Sequence, residues 1–151
     1  MYYKKKMKKS KNQISRIEML CAKSGVKFTH QRKIIADVIS NSKDHPDANT
    51  VYLRSNKIDP RISLATVYRT IKLFEEYNVL NRIELGGKRA RYEELNEDEH
   101  HDHLIDVDSG EIIEFVNEEI ESLQMKVAKK LGYELVDHRM ELFGKKILKK
   151  N

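Results

Sequence analysis

Residues 99–110 read EHHDHLIDVDSG, and His100, His101, Asp102 and His103 put three imidazoles and a carboxylate into four consecutive positions. Imidazole and carboxylate are ligands that suit zinc, iron, manganese and nickel. In an extended chain successive side chains point to opposite faces. His101 and His103 then share one face, and His100 and Asp102 share the other. One tetrapeptide can therefore give two ligands to each of two ions. The positions that follow carry no thiol: Asp106, Val107, Asp108 and Ser109 stand there. Further residues of ligand type are His45, Glu93, Glu114, Glu121 and His138. Each of these also has an ordinary structural reading. His45 can be a loop residue beside Pro46, His138 a core histidine among apolar neighbours, and the glutamates solvated charges.

The elements that would hold these residues follow from periodicity and capping. Ile14, Ile17, Leu20 and Cys21 recur on one helical face, and Gly25 fits the stop. Thr29 caps a second helix with the stripe Ile34, Ile35, Val38 and Ile39. Asp47 caps a short third helix reaching about Lys57. Pro60 ends what precedes it, and Ser63 caps a fourth helix in which Leu64, Val67, Ile71 and Phe74 cluster on one side. Arg69 then points almost opposite, Tyr68 lies on the flank, and Leu73 does not fit the polar face. Leu80–Leu85 and Ala90–Leu95 flank Gly86-Gly87 as a hairpin. Three of these short helices and a basic hairpin make a winged helix-turn-helix, with the helix from Ser63 as the recognition helix and the hairpin as the wing.

Beyond a polar linker at 96–99, His101–Val107 and Glu111–Val116 read as two strands joined at Asp108-Ser109-Gly110. Asn117 caps a helix with Glu118, Glu119 and Glu121 near its start and Lys126, Lys129 and Lys130 near its end, as the macrodipole favours. Its stripe is Ile120, Leu123, Val127 and Leu131, and Gly132 stops it. Residues 133–143 alternate as a last strand, with Val136, His138, Met140 and Leu142 on one face. A unit of about 50 residues has little core of its own, so pairing with a second copy is expected.

Charge divides the chain in the same way. Residues 1–92 hold 21 Lys and Arg against 8 Asp and Glu, whereas residues 93–151 hold 8 against 16. A basic N-terminal half is the electrostatic footprint of a nucleic-acid binder. Met1–Gln13 is lysine-rich with no apolar run after it, which reads as a solvated arm rather than a secretory signal. Such an arm can add non-specific phosphate contacts. No stretch is apolar over the roughly 18 residues a membrane span needs. Cys21 is the single cysteine, so no intramolecular disulfide can form and a reducing cytoplasm fits. Its apolar neighbours make it a buried small hydrophobe rather than a nucleophile.

The segments RISLATVYRTIKLFEE, GGKRARYEE and HHDHLIDVDSGEIIEF together resemble the ferric uptake regulator family of bacterial metal-sensing repressors. The pattern is nearest to the alphaproteobacterial version, including its manganese-responsive branch, and covers about residues 13–144. The resemblance implies an α+β chain: a winged-helix DNA-binding domain at 13–95 after a basic arm at 1–12, a hinge at 96–100, and a small α/β dimerisation domain at 101–151. It implies an interdomain regulatory metal site at His45, Glu93, His101, His103 and Glu114, and a second site in the dimerisation domain at His100, Asp102, Glu121 and His138. Relatives often hold a structural zinc with cysteines where Asp106 and Ser109 stand, so that site cannot form here. For DNA, the resemblance implies base contacts from Tyr68 and Arg69 in the major groove and a minor-groove contact from Lys27.

These readings lead to a cytoplasmic homodimer that binds an A/T-rich palindromic operator and represses metal-uptake genes. The cofactor is a divalent metal at two sites per subunit, Fe2+ or Mn2+ in the cell and Zn2+ in vitro. Rival readings are a zinc-, peroxide- or haem-responsive relative, and a metal-dependent hydrolase using an open coordination position. The peroxide-sensing branch tends to carry aspartate where Glu93 or Glu114 stands, and the haem-responsive branch a different histidine run. Against an enzyme, no nucleophile or acid–base pair stands apart from the ligand-type residues.

Overall fold

The structure, a computed structural model, describes residues 14–96 and 99–148. The basic arm at 1–12, and Glu97 and Asp98 of the expected hinge, lie outside them. The chain divides into two compact units. One holds the described residues up to Glu84 together with Arg89–Leu95, and the other holds Leu85–Lys88 and the described residues from Asn96 onward.

The first unit contains α1 (Arg16–Lys23), α2 (His30–Asn41), α3 (Ala48–Ile58) and α4 (Leu64–Glu76), then an antiparallel pair, β1 (Leu80–Ile83) and β2 (Arg91–Glu94). Each helix opens on a side-chain oxygen that accepts a backbone N–H three residues on. Ser15 accepts from Glu18, Thr29 from Arg32, Asp47 from Thr50 and Ser63 from Thr66. Each cap is worth about 1 kcal/mol. Ile17, Cys21, Ile35, Ile39, Val51, Val67, Ile71 and Phe74 form the core that these helices enclose, and Phe28 stacks on Phe74.

The buried face of α4 is Val67, Thr70, Ile71 and Phe74. Leu64, counted in the apolar stripe of the sequence, is 38% exposed instead. At about 100° per residue it falls at the edge of that buried face, in the first turn, and Thr70 takes the place facing the core. Leu73, which has no place on the polar side, is half-buried on the other edge.

The second unit is a three-stranded sheet of β3 (Asp102–Asp106), β4 (Ile112–Phe115) and β5 (Glu141–Gly144), in the order β4-β3-β5, with α5 (Glu118–Lys130) between β4 and β5 in the chain. β3 pairs antiparallel with β4 and parallel with β5. The β3–β4 turn is closed by Asp106, whose Oδ1 accepts the backbone N–H of Asp108 at 2.9 Å and of Ser109 at 3.3 Å. Asn117 caps α5 through the Ile120 N–H. Gly132 ends it in a left-handed conformation (φ 87°) that costs a residue with a Cβ far more.

The last strand is shorter than the alternation of 133–143 predicts. Only Glu141–Gly144 is strand, because β3 is five residues long and its parallel ladder reaches only these four. Val136 is 94% exposed whereas His138 is half-buried, so the expected common face does not extend back from β5. Every residue of α5 is at least partly exposed, and Leu123 and Val127, with Leu131 just past its end, stand open on one side. An apolar face of this kind on a small unit calls for a cover.

Candidate metal centre and DNA-reading face

In the second unit, His100, Asp102, Glu121 and His138 each present a ligand atom, and these atoms all lie within 4.8 Å of one another. Asp102 opens β3, and His100 stands two residues before it. Glu121 sits in the first turn of α5, while His138 lies in the segment entering β5. The Nε2 atoms of His100 and His138 are 2.8 Å apart. Asp102 Oδ1 lies 3.6 Å from the first and 3.4 Å from the second, and Glu121 Oε1 is 3.6 Å from His100 Nε2.

Asp102 is 2% exposed, and neither of its carboxylate oxygens has a hydrogen-bond partner among the described residues. A buried carboxylate that makes no hydrogen bond, with only two imidazoles at 3.4 and 3.6 Å beside it, is costly. A divalent cation held by this carboxylate, Glu121 and the two imidazoles would neutralise it. Two nitrogens and two oxygens suit zinc, and also iron and manganese. The residues present thus fit a metal.

The first unit holds a second constellation. His45 is buried and takes a left-handed backbone conformation (φ 49°), uncommon outside glycine, immediately before Pro46. Its carbonyl accepts a hydrogen bond from Arg91. His45 Nε2 lies 3.1 Å from Glu93 Oε2. The other oxygen of Glu93 accepts from Asn81 Nδ2 at 3.0 Å, across the β1–β2 ladder where Asn81 and Glu93 are paired. Asn81 was not among the residues that the sequence singled out. It orients a ligand-type carboxylate, and the signal available was its place opposite Glu93 in the hairpin register.

In the second unit, His101 and His103 bring their rings to 4.9 Å, and His101 Nε2 lies 3.6 Å from Glu114 Oε1. His103 and Glu114 are register partners across β3 and β4. His103 is buried while Glu114 stays exposed.

On the outer side of α4, Tyr68 is 53% exposed and Arg69 is exposed. Arg69 reaches Thr66 Oγ1 at 3.5 Å. Lys27 is exposed in the segment before α2, where its carbonyl accepts from Arg32. A cleft of about 520 Å³ opens between α4 and the β1–β2 pair, with Tyr68, Arg69, Lys72, Arg82 and Arg89 among its lining residues. Cys21 is fully buried, and burial pushes its thiol above the usual range, as suits an inert core residue.

A winged helix-turn-helix followed by a small α/β unit with clustered imidazole and carboxylate groups defines a class: DNA-binding regulators that respond to metal. Comparison with known proteins agrees. Residues 23–143 match the sequence profile of the Ferric uptake regulator family. The ferric uptake regulation protein of Rhizobium leguminosarum bv. viciae is 49% identical over 128 residues, 85% of this chain and 89% of that protein. That of Brucella suis biovar 1 is 45% identical over 125 residues, 83% and 88% of the two chains. Among solved structures, a zinc-bound manganese uptake regulator is 47% identical, covers 87% of this chain and 98% of its own, and superposes with a TM-score of 0.69. The ferric uptake regulator of Vibrio cholerae is 32% identical, with 84% and 97% covered and a TM-score of 0.76.

This chain belongs to the Ferric uptake regulator family. Its α+β architecture, a helical DNA-binding part followed by an α/β dimerisation part, is that of the family's solved structures. Members are transcription regulators rather than enzymes, so the hydrolase reading falls away. No helix among the described residues is long and apolar enough to cross a membrane.

Proposed function

We propose that this chain is a homodimeric, metal-dependent repressor of metal-uptake genes, active in the cytoplasm on an A/T-rich palindromic operator and responsive to Mn2+ or Fe2+. His45 and Glu93, from a DNA-binding domain at 13–95, and His101, His103 and Glu114, from a dimerisation domain at 101–151, hold the regulatory ion together. The hinge is at 96–100. His100, Asp102, Glu121 and His138 hold a second ion. Tyr68 and Arg69 read bases in the major groove, and Lys27 enters the minor groove.

The observation that carries this reading is the division of the regulatory set: two ligand-type residues fall in the first unit and three in the second. An ion that binds all five favours those domain arrangements in which they converge. Protein without that ion populates many arrangements, few of which match two half-sites. A coupling of about 1–3 kcal/mol between metal and DNA changes operator affinity by roughly 5–150-fold. Mixed nitrogen and oxygen ligands accept either metal, so the ion available in the cell selects between them.

The test is a duplex selected from a random pool by the metal-loaded protein. Its binding is measured with Mn2+, with Fe2+ under anaerobic conditions, and after chelation. Metal-dependent binding to a palindrome supports the reading. Equal affinity with and without metal overturns it.

A further inference from the structure

Base-reading residues account for only part of the polar surface of α4. Lys72 lies one helical turn beyond Tyr68 and Arg69, and at about 100° per residue it points between them. It is exposed and has no ion pair among the described residues. Across the cleft stands Arg89, with its side chain 71% exposed and its nearest carboxylate, Asp47, 4.0 Å away. A surface pair that long contributes little and leaves the guanidinium able to bind another anion. Arg82, on the same cleft, is committed differently: its Nε donates to Glu84 at 2.6 Å, and Glu75 lies 3.9 Å from its Nη1. Besides Arg69, already assigned to base reading, the cleft therefore offers two further available cations, Lys72 and Arg89, one on each wall, and a neutralised Arg82.

We infer that Lys72 and Arg89 form a clamp for the DNA backbone, taking phosphates of one strand into the cleft between α4 and the hairpin. This rests on the proposed reading of α4 as the recognition helix. A helix with its side chains is about 10–12 Å across and fills a major groove about 12 Å wide. The first half of a recognition helix meets base edges, and its flanks meet the strands that border the groove. Tyr68 and Arg69 lie in the first half of α4, and Lys72 follows them toward its end. A strand bordering the groove on the hairpin side runs between Lys72 and Arg89. Phosphate contacts set register and affinity but carry no sequence information. Lys72 and Arg89 thus position the helix while Arg69 discriminates.

Salt dependence separates these roles. Each neutralised phosphate contributes about 0.9 to the slope of log K against log salt concentration. Full-length, metal-loaded wild type and the variants Lys72→Ala, Arg89→Ala, the double variant and Arg69→Ala are titrated into operator and random duplexes between 50 and 200 mM KCl, a range of roughly fourfold chosen to resolve such slopes. Each single variant is expected to make the slope shallower by about 0.9 and the double by about 1.8, with the operator-to-random ratio unchanged. Arg69→Ala is expected to lower that ratio. A slope equal to wild type in both Lys72→Ala and Arg89→Ala overturns the clamp while leaving the repressor reading intact. A fall in the ratio for either variant overturns it too, by assigning base readout to that residue. A wild type that binds no duplex more tightly with metal overturns the repressor reading and the clamp together.

Discussion

Asp102 combines features that rarely coexist: a carboxyl side chain, almost complete burial, and no hydrogen-bond partner for either oxygen among the described residues. In the metal-free protein it is a source of instability, of about 1–3 kcal/mol for an unsatisfied buried group and more for a charged one. Asp102→Asn keeps the shape and removes the charge. At pH 8 it should melt several degrees above metal-free wild type, since roughly 1 kcal/mol moves the midpoint by about 2–4 °C in a chain of this size. Added Zn2+ or Mn2+ should raise the wild-type midpoint more than that of the variant. Thermal melts with and without metal check this, and a variant that melts lower when metal-free, yet gains as much from metal, would count against Asp102 as a ligand. A second prediction at this scale concerns DNA. Arg69→Ala should reduce discrimination between operator and random duplex by about 1–3 kcal/mol. Lys27→Ala should weaken binding to both and make the salt slope shallower by about 0.9. Competition binding on the two duplexes separates these outcomes.

Among the elements, the β3–β4 turn shows what a carboxylate does where relatives often place thiols. The backbone N–H groups of Asp108 and Ser109, with a hydrogen bond to the Ser109 side chain and the nearby Lys146 charge, hold the Asp106 carboxyl below its ordinary range. A depressed carboxyl stabilises the fold above its unfolded value of about 3.9, and that contribution is lost as pH falls through the lower folded value. Asp106→Ala should therefore be less stable than wild type at pH 7, with the difference shrinking as pH drops below about 4. Urea midpoints from pH 7 to pH 3 measure it, and a pH-independent difference would show that the carboxylate charge is not what closes the turn. The element boundaries also show how far the sequence can be read. Thr29, Asp47, Ser63 and Asn117 are legible as caps because capping is chemistry within four residues. The extent of β5 is not legible, because alternation at 133–143 cannot show that β3 has only four positions to offer it. Thr70 facing the core in place of Leu64 depends on where the neighbouring helices lie. The ligand-type residues were legible by chemical type, but the 3.0 Å bond from Asn81 to Glu93 required the hairpin register.

For the whole molecule, the family binds DNA as dimers, and the exposed apolar face of α5 is the surface that calls for a cover. With Cys21 buried and no other cysteine, no thiolate zinc can hold this dimer, and peroxide has no ligand thiol to oxidise. The dimer should survive extensive EDTA dialysis at neutral pH, because Leu123, Val127 and Leu131 still pack without metal. Its melting temperature should fall while its helical signal stays. Size-exclusion chromatography and circular dichroism read both quantities, and monomers with lost helix signal would assign the structural role to the histidine–carboxylate site.

The proposed regulatory ion, shared by ligands from both units, is expected to set operator affinity. Fluorescence anisotropy of a labelled operator, titrated with wild type, Glu93→Ala and His103→Ala at limiting and saturating Mn2+, measures that dependence. Wild type should gain at least about tenfold in affinity on metal loading, and each variant should lose about tenfold of metal-dependent affinity while eluting as a dimer. Variants that bind operator as tightly as wild type at limiting metal would mean that Glu93 and His103 do not hold a regulatory ion.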